Sequence, residues 1–283
     1  MRIGIVGLGL IGGSLGLDLR QLGHQILGVS RQMQTCQAAI ACGAVDQASR
    51  DLSSLAAAEL IMICTPLDAI LPTVKQLIPH LKPATILTDV GSVKAPVVEA
   101  ITPLWPNFVG GHPMAGMTEA GIGAAHLGLF AGRPYVLTPG KTTPVQSVER
   151  VAQIARSLSA QIYQCSPADH DRAVAWVSHL PVIASASLIA ACLSEPDPAV
   201  LELAQHLASS GFRDTSRVGG GNTYLGRMMA QYNRDELLRS LQSYRSTLDK
   251  LITKIEQENW TELEQHLQQT RQARPQFLQA VDD

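Results

Sequence analysis

Short apolar runs alternate with amphipathic segments through the first half of the chain. Runs rich in β-branched residues predict strands, which cover residues 2–6, 25–29, 60–64, 85–90, 107–109 and 135–138. The helical periodicity between them predicts helices that begin near Gly12, Met33, Ile70 and Lys94. Because strands that alternate with helices usually build a parallel sheet, this half predicts an α/β domain with a doubly wound sheet.

The pattern changes near the sequence CSPADHD, residues 165–171. Ser166 can cap a helix that has Pro167 at its first position and Asp169 in its first turn. Only helical patterns follow. We therefore predict two domains, an α/β domain over residues 1–165 and a helical domain over residues 166–283.

A long apolar stripe marks the helical domain. Its members are spaced by three or four residues, and they are Leu237, Leu241, Tyr244, Leu248, Leu251 and Ile255. Asn233 and Glu236 have the spacing of a capping box before this helix, and Thr261 and Glu264 repeat it before a last helix that Pro275 is expected to end. A stripe of this length predicts a face buried against a second copy, and hence a homodimer.

The composition limits the possible partners. The 283 residues are 46% hydrophobic and carry a formal net charge of -2, so neither nucleic acid nor a membrane surface is an expected partner. Five cysteines without a C-x-x-C pair or a signal peptide favour reduced thiols in the cytoplasm, and no metal site is expected. No run approaches the roughly 18 unbroken apolar residues of a membrane span. Small molecules are the expected partners.

The sequence GLGLIG, residues 7–12, follows the first predicted strand and opens a helix. Gly7, Gly9 and Gly12 have G-x-G-x-x-G spacing around Leu10 and Ile11. In this context the glycines permit a tight turn, close approach of a pyrophosphate, and packing of helix on strand. A glycine-rich turn without a ligand is the alternative. We favour a Rossmann-type dinucleotide-binding domain over residues 1–165.

The end of the second predicted strand bears on the choice of cofactor. An NAD enzyme places an acidic residue there to bind the ribose 2′-hydroxyl. This chain has Ser30 and Arg31 instead, and no acid before Asp46. Because a hydroxyl and a guanidinium suit a 2′-phosphate, we predict NADP rather than NAD. The alternative is that Arg31 is only a solvated surface residue.

Three strand ends carry candidate site residues, because ligands bind outside the carboxyl ends of parallel strands. Cys64, Thr65 and Pro66 follow the third predicted strand and are expected to border the cofactor. Ser92 follows the fourth strand, where it can also cap the next helix. His112 follows the fifth strand in what we interpret as a glycine-flanked loop, a setting that favours a functional histidine over a structural one.

Two further candidates lie in the helical half. His179 stands in a helical pattern with Pro181 two residues later, and the proline is expected to distort the helix beside the histidine. A core histidine is the alternative. Arg213, Asp214 and Arg217 occupy a polar segment that we interpret as a loop, where arginine geometry suits capture of a carboxylate.

The sequences VGLGLIGGS, DVGSVK, GGHPMAG, SPADHDRAVAWVSHLP and GFRDTSR together resemble the prephenate and arogenate dehydrogenase family of tyrosine biosynthesis, over nearly the whole chain. The resemblance implies a nucleotide-binding domain followed by a helical dimerisation domain, and oxidation of a cyclohexadienol with loss of carbon dioxide. No chorismate mutase segment precedes these motifs and no regulatory domain follows them, so a stand-alone enzyme is expected.

The resemblance also implies roles for individual residues. His112 is implied as the base that takes the proton of the ring hydroxyl while hydride leaves C4 for the nicotinamide, and Ser92 as the group that orients it. Arg217 is implied to bind a substrate carboxylate with Asp214 as its partner, and His179 to line the substrate pocket. The neighbouring glycines and proline of GGHP are expected to bring the strand end close to cofactor and substrate.

Departures from the family pattern bear on the substrate. Val182 replaces the second histidine of the common SHLPH sequence, and the tract GGGNTYLG lacks the tryptophan of many members. The order Met117, Thr118, Glu119 shifts a carboxylate by one position. We favour arogenate, because NADP use accompanies arogenate in many members. A prephenate or dual-specificity dehydrogenase is the alternative.

Other functions fit fewer of these residues. A 3-hydroxyacid dehydrogenase or a pyrroline-carboxylate reductase would also pair a nucleotide domain with helices. The former normally has a lysine base on the first long helix of its second domain, and no lysine lies between Lys141 and Lys250. A nucleotide-sensing protein without catalysis would need the glycine turn, but not a candidate base and a carboxylate clamp as well.

Overall fold

The computed structural model describes residues 1–117 and 119–278. An eight-stranded sheet organises the first half of the chain, in the order β3-β2-β1-β4-β5-β6-β7-β8. The strands are β1 (Arg2–Val6), β2 (Gln25–Val29), β3 (Gln47–Ser49), β4 (Leu60–Ile63), β5 (Ile86–Asp89), β6 (Phe108–Pro113), β7 (Pro134–Pro139) and β8 (Gln161–Gln164). Only β6 and β7 pair in antiparallel fashion, so β7 and β8 run against the first six strands.

Helices lie between these strands in the chain. They are α1 (Leu10–Gln21), α2 (Met33–Ala41), α3 (Leu67–Leu77), α4 (Ala95–Ile101) and α5 (Val145–Ser157). The core of the sheet region includes fully buried Ile3 and Ile5 of β1 and Leu15 and Leu19 of α1. The order of the first six strands is that of dinucleotide-binding α/β sheets, which confirms the predicted fold class.

The predicted strands differ from the observed ones at the edges of the sheet. The bounds of β1 and β2 are as predicted, but β3 and β8 have no counterpart in the prediction. Both are edge strands with largely exposed or half-buried residues, so they lack the apolar pattern that marks a buried strand. β6 is longer than predicted, because it continues through both glycines to Pro113.

The second half of the chain is helical, as predicted. Its helices are α6 (Pro167–Val174), α7 (Leu180–Leu193), α8 (Pro198–Leu207), α9 (Ser210–Ser216), α10 (Thr223–Tyr232), α11 (Arg234–Glu256) and α12 (Trp260–Leu278). By its internal contacts the described part of the chain divides into two compact units, one comprising Met1–His170 and residues 272–278, the other Asp171–Arg271. The domain boundary between residues 165 and 166 stays a prediction.

Helix starts follow the sequence in part. The Ser166 hydroxyl accepts the backbone N–H of Asp169 at 3.1 Å, so the predicted cap of α6 is present. The capping box predicted at Asn233 is wrong, because the Asn233 side chain makes no capping hydrogen bond to the first turn of α11. Asn259, two residues before the predicted cap, accepts the N–H of Glu262 at 3.2 Å. The proline expected to end the last helix lies inside α12.

Much of the apolar surface in the unit Asp171–Arg271 is exposed. On α7 only Ser185 is buried, and Leu207 of α8 and Ile255 of α11 are exposed large hydrophobic residues. By length and composition alone, the helical run 167–193 could cross a membrane, although it contains no unbroken apolar run of about 18 residues. A helix that is buried in an assembly of subunits has the same composition.

A buried ion pair joins β5, β6 and the start of α4. The carboxylate of Asp89 contacts the ammonium group of Lys94, and both side chains are fully buried. Asp89 also accepts the N–H groups of Gly91 at 2.8 Å and Gly111 at 3.1 Å, while Lys94 donates to the carbonyl of Gly111 at 2.8 Å. The regular pairing of β5 with β6 stops at Val109. Beyond that point these two side chains hold β6 in place.

Gly110 and Gly111 allow this packing. A Cβ atom on Gly110 would lie 2.4 Å from Oγ1 of Thr138, and one on Gly111 would lie 2.6 Å from the carbonyl oxygen of Asp89. Such distances are far inside van der Waals contact. Both glycines therefore serve contacts within the sheet. The expectation that they also bring the strand end close to cofactor and substrate stays a prediction.

Lys94→Met should lower the free energy of unfolding by about 3–5 kcal/mol, because it leaves the Asp89 carboxylate buried without its counter-charge. The double variant Asp89→Asn, Lys94→Met removes both charges and should recover much of this loss. Urea unfolding followed by circular dichroism measures all three proteins. Lys141→Met, at an exposed lysine of the same unit, is the matched control and should change little. A single variant as stable as the wild type would contradict the prediction.

Candidate active site

The turns after β1 and β4 lie side by side at the carboxyl ends of the strands, because β1 and β4 are parallel neighbours. We call this end of the sheet the nucleotide edge. Gly7 has a φ of +98°, and a Cβ atom there would lie 2.6 Å from the carbonyl oxygen of Cys64. A Cβ on Gly12 would lie 2.0 Å from the carbonyl oxygen of Gly7. Packing within the chain therefore requires the first and third glycines of the motif. A Cβ on Gly9 would meet no atom of the described residues within 4 Å, so this glycine leaves space beside the backbone.

The amino terminus of α1 lies at this edge. Its first residues are Leu10 and Ile11, Gly9 is its N-cap, and neither a capping side chain nor an acidic residue occupies its first turn. The positive end of the helix dipole is thus available to an anion. Oγ1 of Thr65 is buried and finds no hydrogen-bond partner in the described part of the chain. A glycine cradle, a helix amino terminus and an unpartnered hydroxyl fit a dinucleotide cofactor.

Cys64 and Pro66 complete the turn after β4. Burial raises the pKa of the Cys64 thiol, and the negative charge of Asp89 raises it further. The thiol is therefore uncharged and adds no negative charge beside a phosphate. Pro66 is the N-cap residue of α3.

The ends of β2 and β3 bring two arginines together. The N–H of Ser30 donates to the carbonyl of Ser49 at 3.1 Å, and Nε of Arg50 donates to the carbonyl of Arg31 at 3.1 Å. Both arginines line a surface depression together with Asp51 and His80. The sequence alone does not predict Arg50 as a site residue, because it follows β3, a three-residue edge strand without an apolar pattern.

Asp51 is the acidic group of this depression. Its carboxylate accepts the N–H of Ser53 at 2.9 Å and caps the short 3₁₀ helix Leu52–Leu55. The hydrogen bonds from Ser53 lower the pKa of the Asp51 carboxyl group. The carboxylate is therefore engaged by its own loop beside the two arginines.

His112 lies inside β6 and not in a loop, and it pairs with Val136 of β7. The residue is 8% exposed. Its Nδ1 lies 2.8 Å from Nε2 of His170, with the ring centroids 5.0 Å apart and the ring planes at 68°. His170 is a site residue that the sequence alone does not single out, although it lies in the motif SPADHD. No local pattern could link two histidines that are 58 positions apart.

Ser92 lies in the loop between β5 and α4 and is half-buried. The N-cap position of α4 is Lys94, so the alternative in which Ser92 caps that helix is wrong. Nδ1 of the His112 ring lies within hydrogen-bond distance of His170. A role for Ser92 near the base stays a prediction.

His179 is buried at the end of a π-helical turn, Ala175–His179, that separates α6 from α7. The distortion lies where Pro181 predicts it, because proline lacks the N–H for the preceding turn. Nδ2 of Asn233 donates to the carbonyl of Asp171 at 2.8 Å and lies 3.0 Å from Nδ1 of His179. A carbonyl only accepts, so this atom is the amide nitrogen and Nδ1 accepts its hydrogen. A neutral His179 then carries its proton on Nε2.

Arg213 and Asp214 lie in α9, and Arg217 begins a 3₁₀ turn, Arg217–Gly220, so the interpretation of this segment as a loop is wrong. Asp214 accepts a hydrogen bond from Nε of Arg213 at 3.1 Å, whereas the sequence analysis expected Arg217 as its partner. All three side chains belong to exposed residues, and their roles stay predictions.

One further sequence feature lies partly outside the described residues. Thr118, the middle residue of the shifted Met117, Thr118, Glu119 order, is not among them. The effect of this shift on substrate choice stays a prediction.

Two family models match most of the chain. The model described as prephenate dehydrogenase, nucleotide-binding domain, matches residues 15–164, and the model described as prephenate dehydrogenase, dimerization domain, matches residues 166–269. The prephenate dehydrogenase of Bacillus subtilis is 32% identical over 262 residues, which are 90% of this chain and 70% of that protein.

Solved structures agree with these matches. The arogenate dehydrogenase of Synechocystis is 54% identical with a TM-score of 0.89, over 98% of this chain and 100% of that chain. The prephenate dehydrogenase of A. aeolicus, crystallised with hydroxyphenyl propionate and NAD+, has a TM-score of 0.92 over 98% of each chain, and at 24% identity it supports the fold alone. The chain therefore belongs to the prephenate dehydrogenase family, a family of oxidoreductases of tyrosine biosynthesis.

Proposed function

We propose that this protein is an NADP-dependent arogenate dehydrogenase, which oxidises and decarboxylates arogenate to tyrosine. The proposal rests above all on His112, a buried histidine on the sheet that also carries the glycine cradle. Its ring is held by a second histidine, His170. The 54% identity with the arogenate dehydrogenase of Synechocystis supports arogenate as the substrate. A prephenate or dual-specificity dehydrogenase is the alternative, in view of the 32% identity with the enzyme of Bacillus subtilis.

The reaction needs a base, a clamp for an anionic substrate, and a hydride acceptor. Nε2 of His112 takes the proton of the ring hydroxyl as the hydrogen on C4 leaves with its electron pair. When bound, the nicotinamide ring supplies the acceptor for that hydride. The bond to the ring carboxylate breaks, its electron pair enters the ring, carbon dioxide leaves, and the phenolate oxygen takes the proton back. A cyclohexadienol and NADP+ thus give a phenol, carbon dioxide and NADPH.

The remaining site residues receive the roles that the family motifs imply. Ser92 hydrogen-bonds near the reacting hydroxyl, and Arg217 captures a substrate carboxylate with Asp214 nearby. His179 lines the substrate pocket. Its tautomer supports this role, because an N–H at Nε2 is a donor and a carboxylate is an acceptor.

NADP is the cofactor that the chain's own residues favour. The backbone around Gly9 and the first turn of α1 hold the pyrophosphate. Ser30, Arg31 and Arg50 hold the 2′-phosphate, since Nε of Arg50 donates to the carbonyl of Arg31 and both arginines line one depression at the ends of β2 and β3. The family model described as a nucleotide-binding domain, which matches residues 15–164, supports a nucleotide cofactor in general.

The exposed apolar faces of the helical domain pack, in this proposal, against a second copy of the chain in the cytoplasm. The family model that matches residues 166–269 is described as a dimerization domain, and it covers the whole apolar run 167–193. A subunit interface would remove from water the same side chains that a bilayer would. The homodimer therefore accounts for α7 without a membrane.

The first experiment on this function compares arogenate with prephenate by the absorbance of the reduced nicotinamide. The value of kcat/KM for arogenate should exceed that for prephenate by at least about tenfold, because a site that pairs with an ammonium group rejects the keto analogue.

His112→Asn should lower kcat by roughly 10²-fold or more and leave NADP affinity nearly intact. His24→Asn, beside the amino terminus, is the matched control. Absence of turnover with both cyclohexadienols would rule out the proposed function.

The second experiment measures the 2′-phosphate contacts by calorimetry with adenosine 2′,5′-bisphosphate and with AMP. Arg31→Ala should weaken the bisphosphate by roughly 10- to 100-fold and leave AMP nearly unchanged, because charged hydrogen bonds contribute about 1.5–3 kcal/mol each. Arg50→Ala should act in the same direction. Arg156→Ala, at an exposed arginine paired with Glu149, is the matched control. Equal losses for both ligands would contradict the assignment of NADP to these arginines.

A further inference from the structure

We infer that His170 is a positioning residue for the base. Its Nε2 accepts a hydrogen bond from Nδ1–H of His112 and thereby keeps His112 in the tautomer whose Nε2 can take a proton. The inference rests on the function proposed for His112, and it assigns a role that neither the sequence motifs nor the family resemblance supplied.

The contact between the two rings is close and buried. Nδ1 of His112 and Nε2 of His170 are 2.8 Å apart, and the residues are 8% and 2% exposed. Two imidazole nitrogens at this distance share one proton, because one must donate and the other must accept. The two rings therefore cannot both be imidazolium ions while the contact exists.

The direction of this hydrogen bond follows from the requirement that Nε2 of His112 accept a proton. If His170 donated, a neutral His112 would carry its proton on Nε2 and could not accept another there. If His112 donates, its Nε2 holds a lone pair and His170 carries its own proton on Nδ1. Only the second arrangement leaves His112 competent as a base at Nε2.

The backbone holds both rings in place. His112 is paired within the sheet to Val136, and the residue before it is bound by the ion pair Asp89–Lys94. His170 lies one turn into α6, and its N–H donates to the carbonyl of Ser166 at 3.0 Å. The geometry therefore does not depend on long flexible side chains, and the hydrogen bond is preorganised.

An acceptor at His170 is needed because an isolated neutral histidine in water favours the tautomer with its proton on Nε2. That tautomer is the wrong one for this base. The buried acceptor at His170 reverses the preference, as a carboxylate does for the histidine of a serine protease. A neutral imidazole acceptor adds no negative charge to the site, and it still stabilises the imidazolium that forms when His112 takes the proton.

Nitrogen NMR of the whole protein, labelled with ¹⁵N-histidine, tests the inference directly. Long-range ¹H–¹⁵N spectra distinguish the two neutral tautomers, and His112→Asn identifies the signals of His112 by their loss. Wild type and His170→Gln should show the Nδ1–H tautomer at His112, because a glutamine amide oxygen can stand where Nε2 of His170 stood. His170→Leu fills the space without an acceptor and should shift His112 toward the Nε2–H tautomer.

Kinetics supply the second readout. His170→Leu should lower kcat by about 10- to 100-fold, the usual loss when the group behind a working histidine is removed, while KM values for NADP and substrate change little. His170→Gln should restore most of the turnover. His24→Leu is the control for replacing a histidine elsewhere in the same unit.

Distinct outcomes separate this inference from the proposed function. A wild-type protein with the Nε2–H tautomer at His112 overturns the inference, even if His170→Leu fails to fold. So do equal losses of kcat in the Leu and Gln variants with an unchanged His112 tautomer, which indicate a packing role. A wild type with the Nδ1–H tautomer that turns over neither cyclohexadienol supports the hydrogen bond and removes the function proposed above.

Discussion

The ion pair of Asp89 and Lys94 is the interaction on which the position of the candidate base depends. Burying two charges is costly, and it is tolerable here because each charge is also bonded to backbone groups. These bonds replace the strand pairing that ends at Val109, and they fix Gly111, the neighbour of His112. Stability and chemistry therefore share one small region of the core, where a change of charge would disturb both.

The antiparallel strand β7 is the second element that fixes the position of His112. Antiparallel pairing with β7 carries β6 past the end of β5 and keeps His112 within regular structure. The chain then returns through α5 and β8, the parallel neighbour of β7, to the start of α6 with His170. Three distant stretches of sequence thus meet around one imidazole. A mobile loop could not hold a ring to a hydrogen-bond length as well as paired strands can.

The sequence predicts the parts of this molecule that depend on local pattern. Buried parallel strands such as β1 and β2 are continuous apolar runs, and the glycine motif with Ser30 and Arg31 follows from spacing alone. The edge strands β3 and β8 are polar enough to escape detection. Two adjacent glycines suggest a loop, although here they serve close packing inside a strand. Lys94, Arg50 and His170 gain their importance from contacts between distant positions, which one sequence without its fold does not reveal.

The uncharged thiol of Cys64 has a consequence for chemical durability. Only a thiolate reacts readily with peroxides and alkylating agents, and the raised pKa of Cys64 leaves almost none at neutral pH. Oxidants should therefore attack the exposed cysteines, Cys42 and Cys192, which lie outside the turn after β4. A cell under oxidative stress could modify this protein at its surface and leave the nucleotide edge chemically intact.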